Sequence, residues 1–135
     1  MTDIETEYQE TLDWIYSWID FSMNRHVDEA HRFFKLDRMN KLMELLGWPN
    51  RNYPSVHVAG TKGKGSTASF IAAGLRASGY KTGLYTSPHL VDFRERIQID
   101  GIQISKEELV ALANEMRPRT TLVNDVTTFE LTTAI

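Results

Sequence analysis

The chain has 135 residues, 41% hydrophobic and 24% charged, an ordinary composition for a globular domain that buries about two-thirds of its unfolded surface. A net charge of −3 offers no basic field for general nucleic-acid binding, and the lack of cysteine excludes disulfides, thiolate catalysis and cysteine-ligated zinc. No apolar run approaches membrane-spanning length and the N-terminus, Met1-Thr2-Asp3-Ile4-Glu5, is acidic rather than signal-like, so a cytoplasmic protein is expected.

Residues 5–21 repeat apolar side chains at Tyr8, Leu12, Ile15, Trp18 and Ile19, which predicts an amphipathic helix. Over 22–35 no period stands out; Phe33 and Phe34 are expected to anchor this connection to a core. His26 and His31 miss the i, i+4 spacing of a helical metal pair and read as surface residues. A second helix is predicted from Asp37 through Met39, Leu42, Met43 and Leu46, stopping at Gly47 ahead of Pro49.

Ser55-Val56-His57-Val58-Ala59 alternates around two valines and reads as a short strand, with His57 expected to be packed or hydrogen-bonded. Residues 66–78 carry helix formers with apolar Phe70, Ile71, Leu75 and Ala77, and Gly79 supplies a stop. Between them lies Gly60-Thr61-Lys62-Gly63-Lys64-Gly65-Ser66, which reads as a phosphate cradle. Its glycines let the backbone take positive φ and bring N–H groups close to a polyanion. The helix N-terminus adds partial positive charge, and Lys64 reaches toward the outer phosphates. A strict P-loop would need glycine where Val58 sits and a hydroxyl where Gly65 sits, so this is a compact variant. The alternative is a flexible Gly/Lys turn that binds nothing.

Lys81–Thr86 reads as the second strand of a right-handed parallel βαβ unit. Ile97 and Ile99 mirror Ile102 and Ile104 across Asp100-Gly101, the favoured type I′ hairpin turn. Ser105-Lys106-Glu107-Glu108 is a capping box opening a helix to about Met116, and 117–125 is expected to be an exposed loop. Thr127-Thr128-Phe129-Glu130 is a second box, opening an apolar helix through Leu131, Ala134 and Ile135. The fold class expected is α/β: a partial P-loop ATPase domain with a parallel sheet, a β-hairpin and flanking helices. Because a parallel sheet needs several covered strands, residues 1–135 read as the N-terminal ATP-binding domain of a longer protein. Its apolar end is expected to stay exposed and to favour self-association.

The run His57-Val-Ala-Gly-Thr-Lys-Gly-Lys-Gly-Ser66, then Gly83-Leu-Tyr-Thr-Ser-Pro-His-Leu90, Phe93-Arg-Glu-Arg-Ile97 and Thr128-Phe-Glu130, resembles the N-terminal part of folylpolyglutamate synthase and bifunctional dihydrofolate synthase, within the Mur ligase superfamily. That resemblance covers essentially everything from Leu12 onward. It implies the Mur ligase central-domain type of fold and an ATP-dependent amide ligase acting on folate or dihydropteroate and L-glutamate. In that family ATP phosphorylates a carboxylate, and the incoming glutamate amine displaces phosphate from the acyl phosphate. By the same resemblance Thr61 to Lys64 cradle the ATP phosphates, with Gly60, Gly65 and Ser66 completing the loop. Lys64 neutralises charge on the transferring phosphoryl group, and Ser87 binds Mg²⁺. Residues Thr127, Thr128, Phe129 and Glu130 line the pterin or folate site, and His89 with the loop after it matches a mobile folate-side loop. No chemical role falls to His89.

Lys62 stands where the family usually has asparagine. The family's acidic glycine-rich strand motif, its metal-binding glutamate and histidine, its modified lysine and its C-terminal domain would lie beyond Ile135, so the chain alone is expected to be inactive. Local readings stay open beside these. Ser87 before Pro88 suits a turn, Glu130 suits a cap, and Arg94-Glu95-Arg96 suits either a solvated loop or arginines that hold carboxylates. The alternatives for the whole chain are a non-catalytic nucleotide-binding or interaction module, or another Mur-type ligase.

Overall fold

The computed structural model describes residues 3–18 and 36–135, so the expectations for Ile19, His26, His31, Phe33 and Phe34 lie outside the described residues. In chain order the described elements are α1 (Ile4–Tyr16), α2 (Asp37–Leu45), a 3-10 turn (Pro49–Arg51), α3 (Lys64–Ala77) and β1 (Gly83–Tyr85). A second 3-10 turn (Phe93–Arg96), β2 (Ile97–Ile99), β3 (Ile102–Gln103), α4 (Lys106–Thr120) and α5 (Thr128–Ala134) follow. They group into two compact units, one formed by the chain up to Pro54 together with Leu109–Ile135, the other by Ser55–Glu108.

The first unit is helical. Helix α1 turns Tyr8, Thr11 and Ile15 inward at spacings of three and four, the stripe its sequence period dictates. It ends at Tyr16, short of the expected 21, where the Ser17 hydroxyl donates to Trp14 O and offers the backbone a local alternative. Helix α2 contributes Leu42 and Met43, and both α1 and α2 pack on α5. Full burial of Ile15, Leu42, Leu109 and Leu131 stabilises this unit by about 2 kcal/mol per side chain relative to exposure.

Two expectations are corrected here. The stretch 117–125 is not simply an exposed loop: α4 continues through Pro118 to Thr120, and Thr120, Val123 and Val126 are buried. The apolar stripe of Leu109, Val110, Ala113 and Met116 carries the helix inward past the point where Pro118 removes one N–H. The apolar chain end is covered in part: Leu131 and Thr132 face inward on α5, while Ala134 and Ile135 are half-buried.

In the second unit α3 packs on β1, and the sheet differs from the expected one. Its three strands run in the order β1-β2-β3, all antiparallel, with Gly83 opposite Ile99, Tyr85 opposite Ile97, and Ile99 opposite Ile102. The hairpin forms as its sequence dictates: Asp100 and Gly101 take φ of 52° and 82°, the type I′ geometry. Asp100 adds a tie the pattern does not announce, since its carboxylate accepts from Thr82 N at 2.8 Å and its own N–H donates to Thr82 O. Residues 55–59 carry no ladder, so among the described residues the parallel βαβ unit is replaced by β1 pairing with the hairpin. Alternation favours an extended chain, but a strand exists only where a neighbour supplies its hydrogen bonds.

Candidate phosphate-binding site

Helix α3 begins at Lys64, two residues earlier than the sequence pattern suggests, with Gly63 as its N-cap at φ 74°. That left-handed conformation explains the glycine, since an L side chain is strained there. The first intrahelical bond runs from Thr67 N to Gly63 O at 2.9 Å. The N–H groups of Lys64, Gly65 and Ser66 therefore belong to the first turn, which has no intrahelical acceptors to offer them. Three oriented donors and the helix dipole converge there, and no acidic residue lies in that turn to oppose an anion.

The cradle has room. A Cβ built on Gly63 or Gly65 meets nothing within 4 Å, and one on Gly60 meets Lys62 O and Lys64 Cγ only at ordinary contact distance. Residues 60–67 are all exposed. Lys64 folds back on its own loop, its Nζ donating to Gly60 O at 2.7 Å. An exposed hydrogen bond of this kind is worth about 1 kcal/mol, so a phosphate oxygen with full charge competes well for the ammonium. These residues fit a polyphosphate.

Ser87 belongs to the same unit, in a bend whose Ser87–Pro88 bond is cis, and it is exposed. Among the described residues no three His, Cys, Asp or Glu side chains gather as a metal site. A lone serine hydroxyl does not make one, so the chain's own residues do not fit Mg²⁺ without further ligands. The loop after Ser87 is tied down. Glu95 accepts from the backbone N–H groups of Leu90, Val91 and Asp92 at 2.8, 2.9 and 2.8 Å, and those amides, Leu90 first, hold its carboxyl below the ordinary value. Arg96 Nε donates to His89 Nδ1 at 2.8 Å, which places the imidazole proton on Nε2. Arg94 pairs with Asp92 at 2.7 Å, so the charged trio works chiefly within its own loop.

Residues 127–130 belong to the other unit. The capping box is complete: Glu130 N donates to Thr127 Oγ1, and Thr127 N donates to Glu130 Oε2 at 2.9 Å. The Thr128 hydroxyl donates to Trp18 O, and Arg38 Nε donates to both Glu130 oxygens. The side-chain polar atoms of this segment are thus engaged within the chain, while Phe129 is 64% exposed. His57 is exposed rather than packed. Sequence reasoning read Glu95 only as part of the charged Arg94-Glu95-Arg96 cluster and passed over Arg38. The Asp92-x-x-Glu95 spacing carries a capping signal for the first, and no local signal exists for the second, 92 residues from its partner.

No protein-family model matches the chain. It is 40% identical over 134 residues to the dihydrofolate synthase/folylpolyglutamate synthase of Bacillus subtilis, an alignment covering 96% of this chain and 29% of that protein. The Mycobacterium tuberculosis folylpolyglutamate synthase complexed with ADP superposes with a TM-score of 0.82 at 36% identity, over 98% of this chain and 29% of that one. The chain is similar to one part of folylpolyglutamate synthases in both sequence and structure. An FPGS–AMPPCP–folate complex also matches, with a TM-score of 0.73 at 36% identity, over 94% of this chain and 30% of that one. The chain thus spans less than a third of the length of these relatives. Its fold is that of the corresponding part of folylpolyglutamate synthases, a partial α/β Mur-type domain with a small antiparallel sheet and flanking helices. Among the described residues no helix is long and apolar enough to cross a membrane.

Proposed function

We propose that this chain supplies the nucleotide-phosphate site of an ATP-dependent ligase that adds L-glutamate to a folate, with dihydropteroate as a further carboxylate substrate. The observation that carries the reading is the first turn of α3: an αL glycine cap, three unopposed N–H donors, open space at Gly63 and Gly65, and Lys64 beside them. Relatives crystallised with ADP and with AMPPCP support a nucleotide as the anion.

The chemistry asked of these residues is electrostatic. Transfer of the γ-phosphoryl group to a substrate carboxylate spreads negative charge over the phosphoryl oxygens, and amides already aimed at that place need no reorganisation. Gly60 to Ser66 hold the phosphates. Lys64 exchanges the Gly60 carbonyl for a phosphoryl oxygen and meets charge as it develops. The glutamate amine then displaces phosphate from the acyl phosphate to form the amide. Mg²⁺, when bound with the nucleotide, would supply charge neutralisation; Ser87 is the candidate ligand among the described residues, and further ligands would be needed to hold the ion. In the segment Thr127 to Glu130 the exposed Phe129 side chain is the group that meets a pterin or folate, the side-chain polar atoms being already engaged.

A chimera in which this chain replaces the matching stretch of the Bacillus subtilis relative tests the reading. The expected result is folate lengthened by glutamate, dependent on ATP, with one phosphate released per residue added. A folded chimera that binds ATP and does not lengthen folate overturns it. These 135 residues alone are expected to release no phosphate from ATP with folate and glutamate, since they span less than a third of the length of the relatives they match.

A further inference from the structure

Helix α3 carries the candidate phosphate site on its first turn, yet little packing fixes its direction. Ala72 is its one buried residue. A cavity of about 110 Å³, lined in part by Ala72, Arg76, Leu84, Gln98 and Gly101, lies beside its C-terminal half. Among the described residues, the one side-chain hydrogen bond that ties α3 to the sheet is Arg76 Nη1 donating to Asp100 O at 2.8 Å. That carbonyl is itself held in place. Asp100 N donates to Thr82 O and the Asp100 carboxylate accepts from Thr82 N, both at 2.8 Å, which binds the hairpin turn to the residue before β1. The guanidinium sits against Gly101, filling the space a Cβ would take there.

We propose that Arg76 is a positioning residue for the phosphate site: it pins the far end of α3 to the hairpin turn and so sets where the first-turn amides point. This rests on the nucleotide reading above for what those amides hold, and not for the tie itself. The lever is long. At about 1.5 Å per residue, Lys64 lies about 12 Å along the axis from Ala72, and Arg76 about 6 Å the other way. A tilt of about 5° about Ala72 therefore moves the first turn by about 1 Å, and a displacement of that size at a catalytic site costs up to about a hundredfold in rate. Rocking about one small buried side chain is resisted by a bond at the end opposite the site, where Arg76 is.

Residual dipolar couplings, measured by NMR on the whole labelled chain, test the tie. In the wild type one alignment is expected to fit α3 and the three strands together. In Arg76→Ala the α3 couplings are expected to shrink against those of the strands. Arg76→Lys keeps a donor for Asp100 O and is expected to restore most of the loss. Gly101→Ala displaces the guanidinium from the other side and is expected to reproduce Arg76→Ala. Couplings of α3 that match the strands equally well in wild type, Arg76→Ala and Gly101→Ala overturn the proposal. Arg76 is exposed, so its truncation leaves the core untouched, and Arg76→Ala decides alone if Gly101→Ala does not fold.

In the chimera, kcat/KM for ATP is expected to fall at least fivefold in Arg76→Ala and in Gly101→Ala, with KM for folate within twofold, and Arg76→Lys is expected to recover most of it. A bond that merely steadies the hairpin would lower the melting temperature and leave kcat/KM for ATP unchanged; that result overturns the positioning role, as do equal losses for ATP and folate. A wild-type chimera without ATP-dependent folate turnover defeats the ligase reading and with it this use of the tie, while the couplings still decide whether Arg76 holds α3.

Discussion

Arg38 Nε lies 3.1 Å from both carboxylate oxygens of Glu130, with the two side chains only 15% and 12% exposed. The same carboxylate closes the capping box on Thr127, so it fixes the start of α5 and ties that helix to α2 at once. Glu130→Ala is therefore expected to cost on the order of 2–3 kcal/mol in urea denaturation, through loss of the charge-assisted bonds to Arg38 and of the capping box at Thr127. Glu130→Gln should recover part of it. A variant as stable as wild type would free Glu130 for a role directed at substrate.

Gly101 sits at φ 82° with the Arg76 guanidinium filling the space a Cβ would take, while Arg76 Nη1 donates to Asp100 O at 2.8 Å. Gly101→Ala should thus carry two costs, about 1 kcal/mol for the left-handed backbone and about 1 kcal/mol for displacing that bond. In an Arg76→Ala background the second disappears. A double-mutant cycle by chemical denaturation is expected to give a coupling near 1 kcal/mol; simple additivity would mean the guanidinium does not occupy that space.

Lys64→Ala in the chimera should lower kcat by about 10²–10³ while leaving the KM for folate within a few-fold, because the ammonium meets charge that develops in the transition state. Its ground-state partner is only the Gly60 carbonyl, so the melting curve should hardly move. Near-normal kcat with both substrates saturating would remove Lys64 from the chemistry.

Glu108 and Glu95 are both held below the ordinary carboxylate value of 4.5, Glu108 first by the Ser105 backbone amide and then by its hydroxyl, Glu95 by the amides of Leu90, Asp92 and Val91. The folded chain binds these protons less readily than the unfolded one, so each contributes stability present in full above 4.5 and lost as pH falls through the lower folded value. The charged and titratable neighbours of Glu95 in its loop and turn are His89, Asp92, Arg94 and Arg96, with His89 accepting from Arg96 and Arg94 paired to Asp92. Thermal melts of wild type and Glu108→Gln should differ at pH 7 and converge toward pH 3. A gap that is constant with pH would contradict the assignment.

What the linear sequence determined was local. The I′ turn at Asp100-Gly101, the boxes at Ser105 and Thr127, the glycine stops at Gly47 and Gly79 and the glycine-lysine loop before α3 each depend on residues within a few positions, and each formed. The tertiary structure decided everything that needs a distant partner. Ser55–Ala59 has strand-like alternation and no ladder, because pairing is a property of two segments and no described strand bonds to it; β1 pairs with the hairpin along one edge. The burial of Thr120, Val123 and Leu131 and the bond from Arg38 to Glu130 follow from which helices meet, and no window of sequence contains both sides of those contacts. The glycine-capped start of α3, on which the candidate phosphate site depends, was legible because one left-handed glycine and one helix start suffice to build it. Glu95 lay in a visible capping pattern, and only the folded loop showed that three amides, rather than one, converge on a single carboxylate.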